Sequence, residues 1–173
     1  HSIPEITRLA DTVVVISDGK CLAAGDVDTV MGRFDLKPHT GRYEAGSVFE
    51  TTVTAHDPRD KLTTLGFVGG ELTVPELDAA IGGRVRARIR ARDVSLAVQR
   101  PSGISILNIL PARVTAIREE AGPVVDVQLA IGDVTLMARI THRSLNNLGI
   151  HLHQDVYALV KAVSFDHRST GYA

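Results

Sequence analysis

The sequence predicts a mainly β chain, with two small antiparallel β-barrel units in tandem behind a short α/β segment. Three observations carry this. From Val48 onward, apolar and polar residues alternate in short runs broken by glycine, which is the pattern of half-buried strands and not of helices. The pattern repeats, with Val53-Thr54-Ala55 opening one unit and Val114-Thr115-Ala116 the other. The first forty or so residues differ in kind, reading as helix, hairpin and helix.

Ile3 to Asp11 places Ile3, Ile6, Leu9 and Ala10 at helical spacing and leads into the apolar run Thr12 to Ile16. Asp18-Gly19 makes a turn, Lys20 to Ala24 is the partner strand, and Asp26 caps a short helix through Val27, Val30 and Met31. Such a set cannot bury its faces alone, so the front of a domain is expected to lie outside this sequence. Lys37 to Gly46, with Pro38 and Gly41, is the expected linker.

Each repeat then runs through a polar turn, a strand, a glycine turn (Gly69-Gly70, Gly132-Asp133) and another strand. The match resumes at Arg84 to Leu96 and Asp155 to Phe165, after the second unit inserts Arg143 to Gly149 as one short helix. The expected divisions are 1–36, a linker at 37–46, repeats at 47–102 and 103–168, and a tail at 169–173. Units of about sixty residues sit near the lower limit for an independent core, so the two are expected to pack together or share strands.

With 173 residues and 44% hydrophobic content, the chain suits one ordinary domain or two small ones. No run approaches the roughly twenty apolar residues of a membrane-spanning helix, and the first residues lack the features of a signal peptide, so a cytosolic location is expected. A single cysteine, Cys21, allows neither an internal disulfide nor a thiolate metal cluster. A net charge of −1 provides no global attraction for nucleic acid or anionic lipid.

Arg84, Arg86, Arg88, Arg90 and Arg92 alternate with apolar residues, a stripe that suits phosphate contact. With aromatics at 4% and none interleaved, a solvated or intersubunit face is favoured over nucleic acid. His151 and His153 share a face if extended, yet have no third ligand and read better as solvated turn residues. Asp57, Arg59, Asp60 and Lys61 read as a hairpin tip, and no nucleophile has an adjacent base.

Pro4-Glu5-Ile6, Leu9-Ala10-Asp11, Val13-Val14-Val15, Asp18-Gly19 and Ala24-Gly25 resemble the segment behind the switch-loop histidine of ABC-transporter ATPases. The resemblance makes His1 that catalytic histidine, placed to hydrogen-bond the γ-phosphate and position the attacking water. The G-x-x-x-x-G-K-[ST] loop, the signature motif and the magnesium-binding strand have no counterpart in this sequence. ATP and Mg are therefore expected only in a longer parent protein, and no ATP turnover of this chain alone.

The later half resembles the OB-like molybdate-binding domains called TOBE or Mop. Arg90 to Leu96 with Ser105 to Pro111 is similar to the ATPase subunits of molybdate importers. That resemblance implies an oxyanion site at Ser105 and Asn108, Thr141 and Ser144, and Lys161. A tetrahedral dianion needs several preorganised N–H and O–H donors with positive charge. Ordinary turn chemistry is the competing reading, with Thr141 or Ser144 capping the helix before Leu145. Leu107 departs from the arginine that many Mop relatives carry there, which implies a weaker site.

The resemblance further implies the regulatory, oxyanion-sensing and dimer-forming end of a molybdate-import ATPase. Such a protein works as a homodimer beside a membrane-spanning permease, on the inner face of a bacterial membrane, with molybdate as ligand and no nucleic acid. A stand-alone molybdate or tungstate binding protein and an OB-type nucleic-acid module are the alternatives.

Overall fold

The computed structural model describes residues 6, 10–26, 30, 46–119, 122–165 and 170–172. His1, most of the two expected helices and all of the expected linker before Gly46 lie outside them. Ile6 is helical and its carbonyl accepts from the Ala10 N–H at 2.8 Å. β1 (Thr12–Ser17) and β2 (Lys20–Asp26) form the expected hairpin. Its turn has Asp18 at φ 49° and Gly19 at φ 73°, the two left-handed residues of a turn that follows the natural twist of paired strands. Val13, Ala23 and Val30 form a small apolar cluster with Ile6, Ala10, Val15 and Leu22.

The remainder is two five-stranded antiparallel sheets of OB-like character. The first repeat contributes β3 (Gly46–Asp57), β4 (Leu62–Phe67), β5 (Gly70–Pro75), β6 (Arg84–Arg90) and β7 (Val94–Ala97). The second contributes β8 (Asn108–Glu119), β9 (Val124–Ile131), β10 (Val134–Thr141), helix α1 (His142–Leu148), β11 (Asp155–Val160) and β12 (Thr170–Tyr172). One sheet runs β12-β6-β3-β4-β5 and the other β10-β9-β8-β11-β7. Each repeat therefore gives its last strand to the other. β7 pairs with β11, Val94 opposite Val160, and β12 pairs with β6, Gly171 opposite Arg86. Residues 170–172, expected within a tail, are part of a sheet, and Gly46, expected in the linker, opens β3.

The repeats match atom for atom where the chain bends. β3 and β8 each carry a bulge within the shared Val-Thr-Ala triplet. The bulge valine then turns its backbone to the segment before the repeat's fourth strand. Val53 donates to the Gly83 carbonyl at 2.9 Å and accepts from the Gly82 N–H at 2.8 Å; Val114 does the same with Gln154 (2.9 Å) and His153 (2.8 Å). That contact requires a left-handed residue, supplied by Gly82 at φ 85° and by His153 at φ 65°. His153 is thus held by backbone geometry, with its ring exposed in the turn as expected.

One core runs through both repeats. It includes Phe49, Leu65, Leu72 and Ile89 from the first and Val114, Leu129, Leu136 and Val156 from the second. The two glycine turns meet at its edge. A Cβ on Gly69 would press on the Ile131 carbonyl oxygen and lie 2.6 Å from the Phe67 ring, and Gly132 faces the Gly69 Cα. Phe67 itself stacks on Phe49 at 5.5 Å, so the ring has little freedom to yield.

Two outcomes follow in urea unfolding. Gly69→Ala should lose about 1–3 kcal/mol, the usual range for overpacking. At position 153, a valine forced to φ > 0 should cost roughly 1–2 kcal/mol, whereas His153→Gly should be neutral or stabilising. A valine without penalty would show that the left-handed turn is not required.

Candidate functional site

The five residues assigned to an oxyanion site occupy two places. Ser105, Asn108 and Lys161 belong to the start of β8. Val160 lies opposite Asn108 in the β8–β11 pairing, so antiparallel register brings Lys161 beside Leu107. Ser105 and Lys161 are exposed and Leu107 is 55% exposed. Lys161 also heads the 3-10 turn Ala162–Ser164, which packs on β5 of the other repeat.

Asn108 is different. It is 3% exposed, its amide nitrogen donates to the Thr73 carbonyl at 2.9 Å, and its amide oxygen accepts from the Thr73 N–H at 2.6 Å. This bidentate contact ties β8 to β5 across the two repeats. Ser47, its counterpart one repeat earlier, does the same for the other pair, its hydroxyl accepting from the Met137 N–H of β10 at 3.0 Å.

Thr141 and Ser144 sit at the other end of the sheet. Thr141 closes β10 opposite Val124, and the neighbouring Val125 lies opposite Glu119 at the far end of β8. The twelve residues of β8 separate this place from Asn108, roughly 35 Å along the strand at about 3.3 Å per residue. Thr141 is the N-cap of α1: its hydroxyl accepts from the Ser144 N–H at 3.1 Å and lies 2.9 Å from the Ser144 hydroxyl. The capping role and the ligand role thus fall on one side chain. The five residues do not converge within a single chain.

Sequence reasoning assigned no cation to the Thr141 end, yet Arg139 lies on the same strand face two residues away. Its guanidinium grips Asp126 on β9 through Nε (2.8 Å) and Nη2 (3.1 Å), and Asp126 is 3% exposed. Arg118 on β8 lies opposite Asp126 as well. The sequence carries no direct signal of this pair, because Asp126 falls in the polar phase of the strand Val124 to Ile131; once buried, its carboxylate requires a cationic neighbour.

The arginine stripe is partly enclosed, the side chain of Arg84 being 66% exposed and that of Arg86 10%. Arg84 meets Glu50 at 2.8 Å; Arg86 meets Asp11 at 2.6 Å and the Ala10 carbonyl at 2.9 Å; Arg88 is buried. The hydrogen bond it donates to Asp11 holds the Arg86 guanidinium above its usual pKa. The hairpin tip is an Asx turn, with the Asp57 carboxylate accepting from the Arg59 and Asp60 N–H groups at 3.0 Å each. Among the described residues no group of three His, Cys, Asp or Glu side chains is arranged to hold a metal ion. No helix among them is long and apolar enough to cross a membrane.

Residues 104–165 match the TOBE domain family. Over 171 residues the chain is 45% identical to the molybdenum import ATP-binding protein ModC of Mesorhizobium japonicum, an alignment covering 99% of this chain and 46% of that protein. The TOBE match thus lies within a chain that is similar, over nearly its whole length, to part of the ModC proteins. It is also 46% identical over 164 residues to ModC of Aromatoleum aromaticum, covering 95% of this chain and 43% of the relative. The chain thus spans less than half the length of the ModC proteins it matches. Its fold is similar to that of the cytoplasmic molybdate-binding protein ModG in a crystal form with molybdate bound. The TM-score is 0.62 at 25% identity, over 73% of this chain and 96% of ModG.

The geometry of Asn108 predicts a cost that needs no ligand. Asn108→Ala removes both partners of the part-buried Thr73 backbone and should lower stability by about 2–3 kcal/mol, while Thr141→Ala should lose about 1 kcal/mol with the cap. Urea midpoints without molybdate read both. An unchanged midpoint for Asn108→Ala would remove the inter-repeat clamp.

Proposed function

We propose that this chain is the oxyanion-sensing and subunit-pairing region of the ATPase subunit that powers molybdate import. The observation that carries the reading is the likeness of the tandem unit to nearly all of ModG, whose crystal structure holds molybdate, in a chain related over almost its full length to ModC. ATP, Mg, the switch-loop role of His1, the permease partner and a place on the inner face of the membrane all belong to the longer parent protein in this reading.

The ligand is a tetrahedral oxyanion. Ser105 and Lys161 supply an exposed hydroxyl and a cation at one end of the second repeat, and Thr141 and Ser144 supply hydroxyls at the other. Because one chain holds these groups apart, a complete site needs two copies, the Ser105–Lys161 edge of one meeting the Thr141–Ser144 end of its partner. Exposed Ile104, Leu107 and Val163 around Lys161 are the apolar surface such a contact would cover. An anion that binds the paired arrangement more tightly than the separated one shifts the population toward pairing. Through the parent chain it would hold the nucleotide-binding domains in an arrangement that disfavours further import.

Asn108 enters this reading as a positioning residue as well as a ligand candidate, since its amide is engaged by Thr73. Lys161 then carries the charge at its end of the site, and Leu107 leaves the neighbouring position without a donor.

A stand-alone molybdate-binding protein is the second reading, favoured by ModG being a cytoplasmic protein of similar fold; the relation to ModC outweighs it.

Titration calorimetry with molybdate on three proteins tests the site. One charge-assisted hydrogen bond is worth roughly 1.5–3 kcal/mol, so Leu107→Arg should tighten binding about ten- to a hundredfold, and Lys161→Ala should weaken it comparably. Sedimentation at tens of micromolar, about the range where weak interfaces begin to fill, should show a two-fold dimer that molybdate strengthens. If neither the parent nor Leu107→Arg binds molybdate, the sensing role fails; a persistent monomer with molybdate bound removes the shared site.

A further inference from the structure

The N-terminal hairpin and the barrel unit have separate apolar clusters with no member in common among the described residues. Among the described residues, Arg86 makes a polar link between them. Arg86 on β6 is 10% exposed at its side chain. Its Nη1 donates to the Ala10 carbonyl at 2.9 Å, and its Nη2 reaches Asp11 Oδ1 at 2.6 Å and Glu50 Oε1 at 3.5 Å. Ala10 closes the helical turn that begins at Ile6, and Thr12 opens β1. The guanidinium therefore holds the joint between helix and hairpin. Glu50 braces it from β3 and is itself held by Arg84 at 2.8 Å.

The opposite flank of β6 is occupied by β12, with Gly171 opposite Arg86. β12 is the strand that the second repeat sends across. Arg86 is thus the point where the N-terminal unit, the first repeat and the end of the second repeat meet.

We propose that Arg86 is a coupling residue, a polar latch through which displacement of β6 and β12 is passed to the N-terminal hairpin. In its regulatory use this rests on the sensing role proposed above: oxyanion capture by the second repeat shifts β12 against β6, and Arg86 conveys the shift to Asp11. A two-pronged guanidinium suits such a joint. It fixes direction as well as distance, and it can release in one step because Asp11 is otherwise exposed at its side chain.

The test uses the full-length ATPase subunit, with hydrogen exchange of the β1–β2 amides read beside molybdate calorimetry. In Arg86→Gln and in Asp11→Asn without molybdate, those amides should exchange about tenfold faster while barrel protection stays unchanged. Molybdate should alter hairpin exchange in the parent. It should fail to do so in Arg86→Gln although affinity remains within about twofold. The paired exchange Arg86→Asp with Asp11→Arg should restore the response in part, which loss of fold would not allow. Unchanged hairpin exchange in Arg86→Gln overturns the latch whatever the ligand does. Molybdate binding with an intact hairpin response in Arg86→Gln overturns the coupling. If the parent binds no molybdate but the hairpin loosens in the variant, the latch stands and the sensing role fails.

Discussion

The reciprocal gift of one strand is the constraint on which the rest of this structure depends. A unit of about sixty residues buries too little surface to be secure alone. An unpaired edge beside β6 or β11 would expose a row of backbone donors and acceptors. Sending β7 to β11 and β12 to β6 covers both edges and makes the two repeats one cooperative body, with a single core running through them. The pairing of Asn108 with Thr73 and of Ser47 with Met137 fixes the same relation from the side-chain level, each repeat holding the third strand of the other.

That architecture determines which polar groups remain for chemistry. Asn108 spends its amide on the inter-repeat clamp, Thr141 its hydroxyl on the helix cap, and Arg84 and Arg86 their guanidinium groups on Glu50 and Asp11. Lys161, Ser105 and Ser144 are the residues of the assigned set less constrained by these contacts, and they are split between the ends of β8. A dianion gains little from any one of them in water, since each must displace hydration already in place. Useful affinity requires the groups to be brought together at an interface that excludes water, which is why anion binding and subunit pairing are treated as one event in the proposed function.

Much of this was legible in the sequence. The repeated Val-Thr-Ala triplet marks the two units, the glycine turns mark the hairpins, and the inserted segment before Gly149 is the helix; the last two rest on local backbone geometry that residue type reports directly. The TOBE and ModC resemblance was readable from Ser105 to Pro111 and Arg90 to Leu96. The strand exchange itself was not, beyond the expectation that strands are shared: Val94 to Ala97 is a short run whose alternation fits either partner, and choice of partner is a long-range matter. Asp126 was hidden for the opposite reason. It stands in the polar phase of a strand, which reads as solvent-facing, whereas Arg139 and Arg118 from adjacent strands enclose it. The arginine stripe, read as a solvated or intersubunit face, has Arg84 and Arg92 exposed but Arg88 buried, since alternation indicates a face and not what covers it.

The two repeats share a backbone and have parted in chemistry. Where the second has Lys161 at the end of its fourth strand, the first has Arg90, and where the second has Leu107 and Asn108 the first has Gly46 and Ser47. Only the second carries α1, with its pair of hydroxyls. The first instead turns Arg86 toward the N-terminal hairpin. Such divergence amounts to a division of work on the proposed reading, one repeat holding the ligand groups and the other holding the attachment to the hairpin. A change at the ligand groups must then cross from one repeat to the other, and the strands they exchange are a covalent route between them. On that reading, the feature that lets two small units share one core also sets β12 of the ligand-bearing repeat against the strand that carries Arg86.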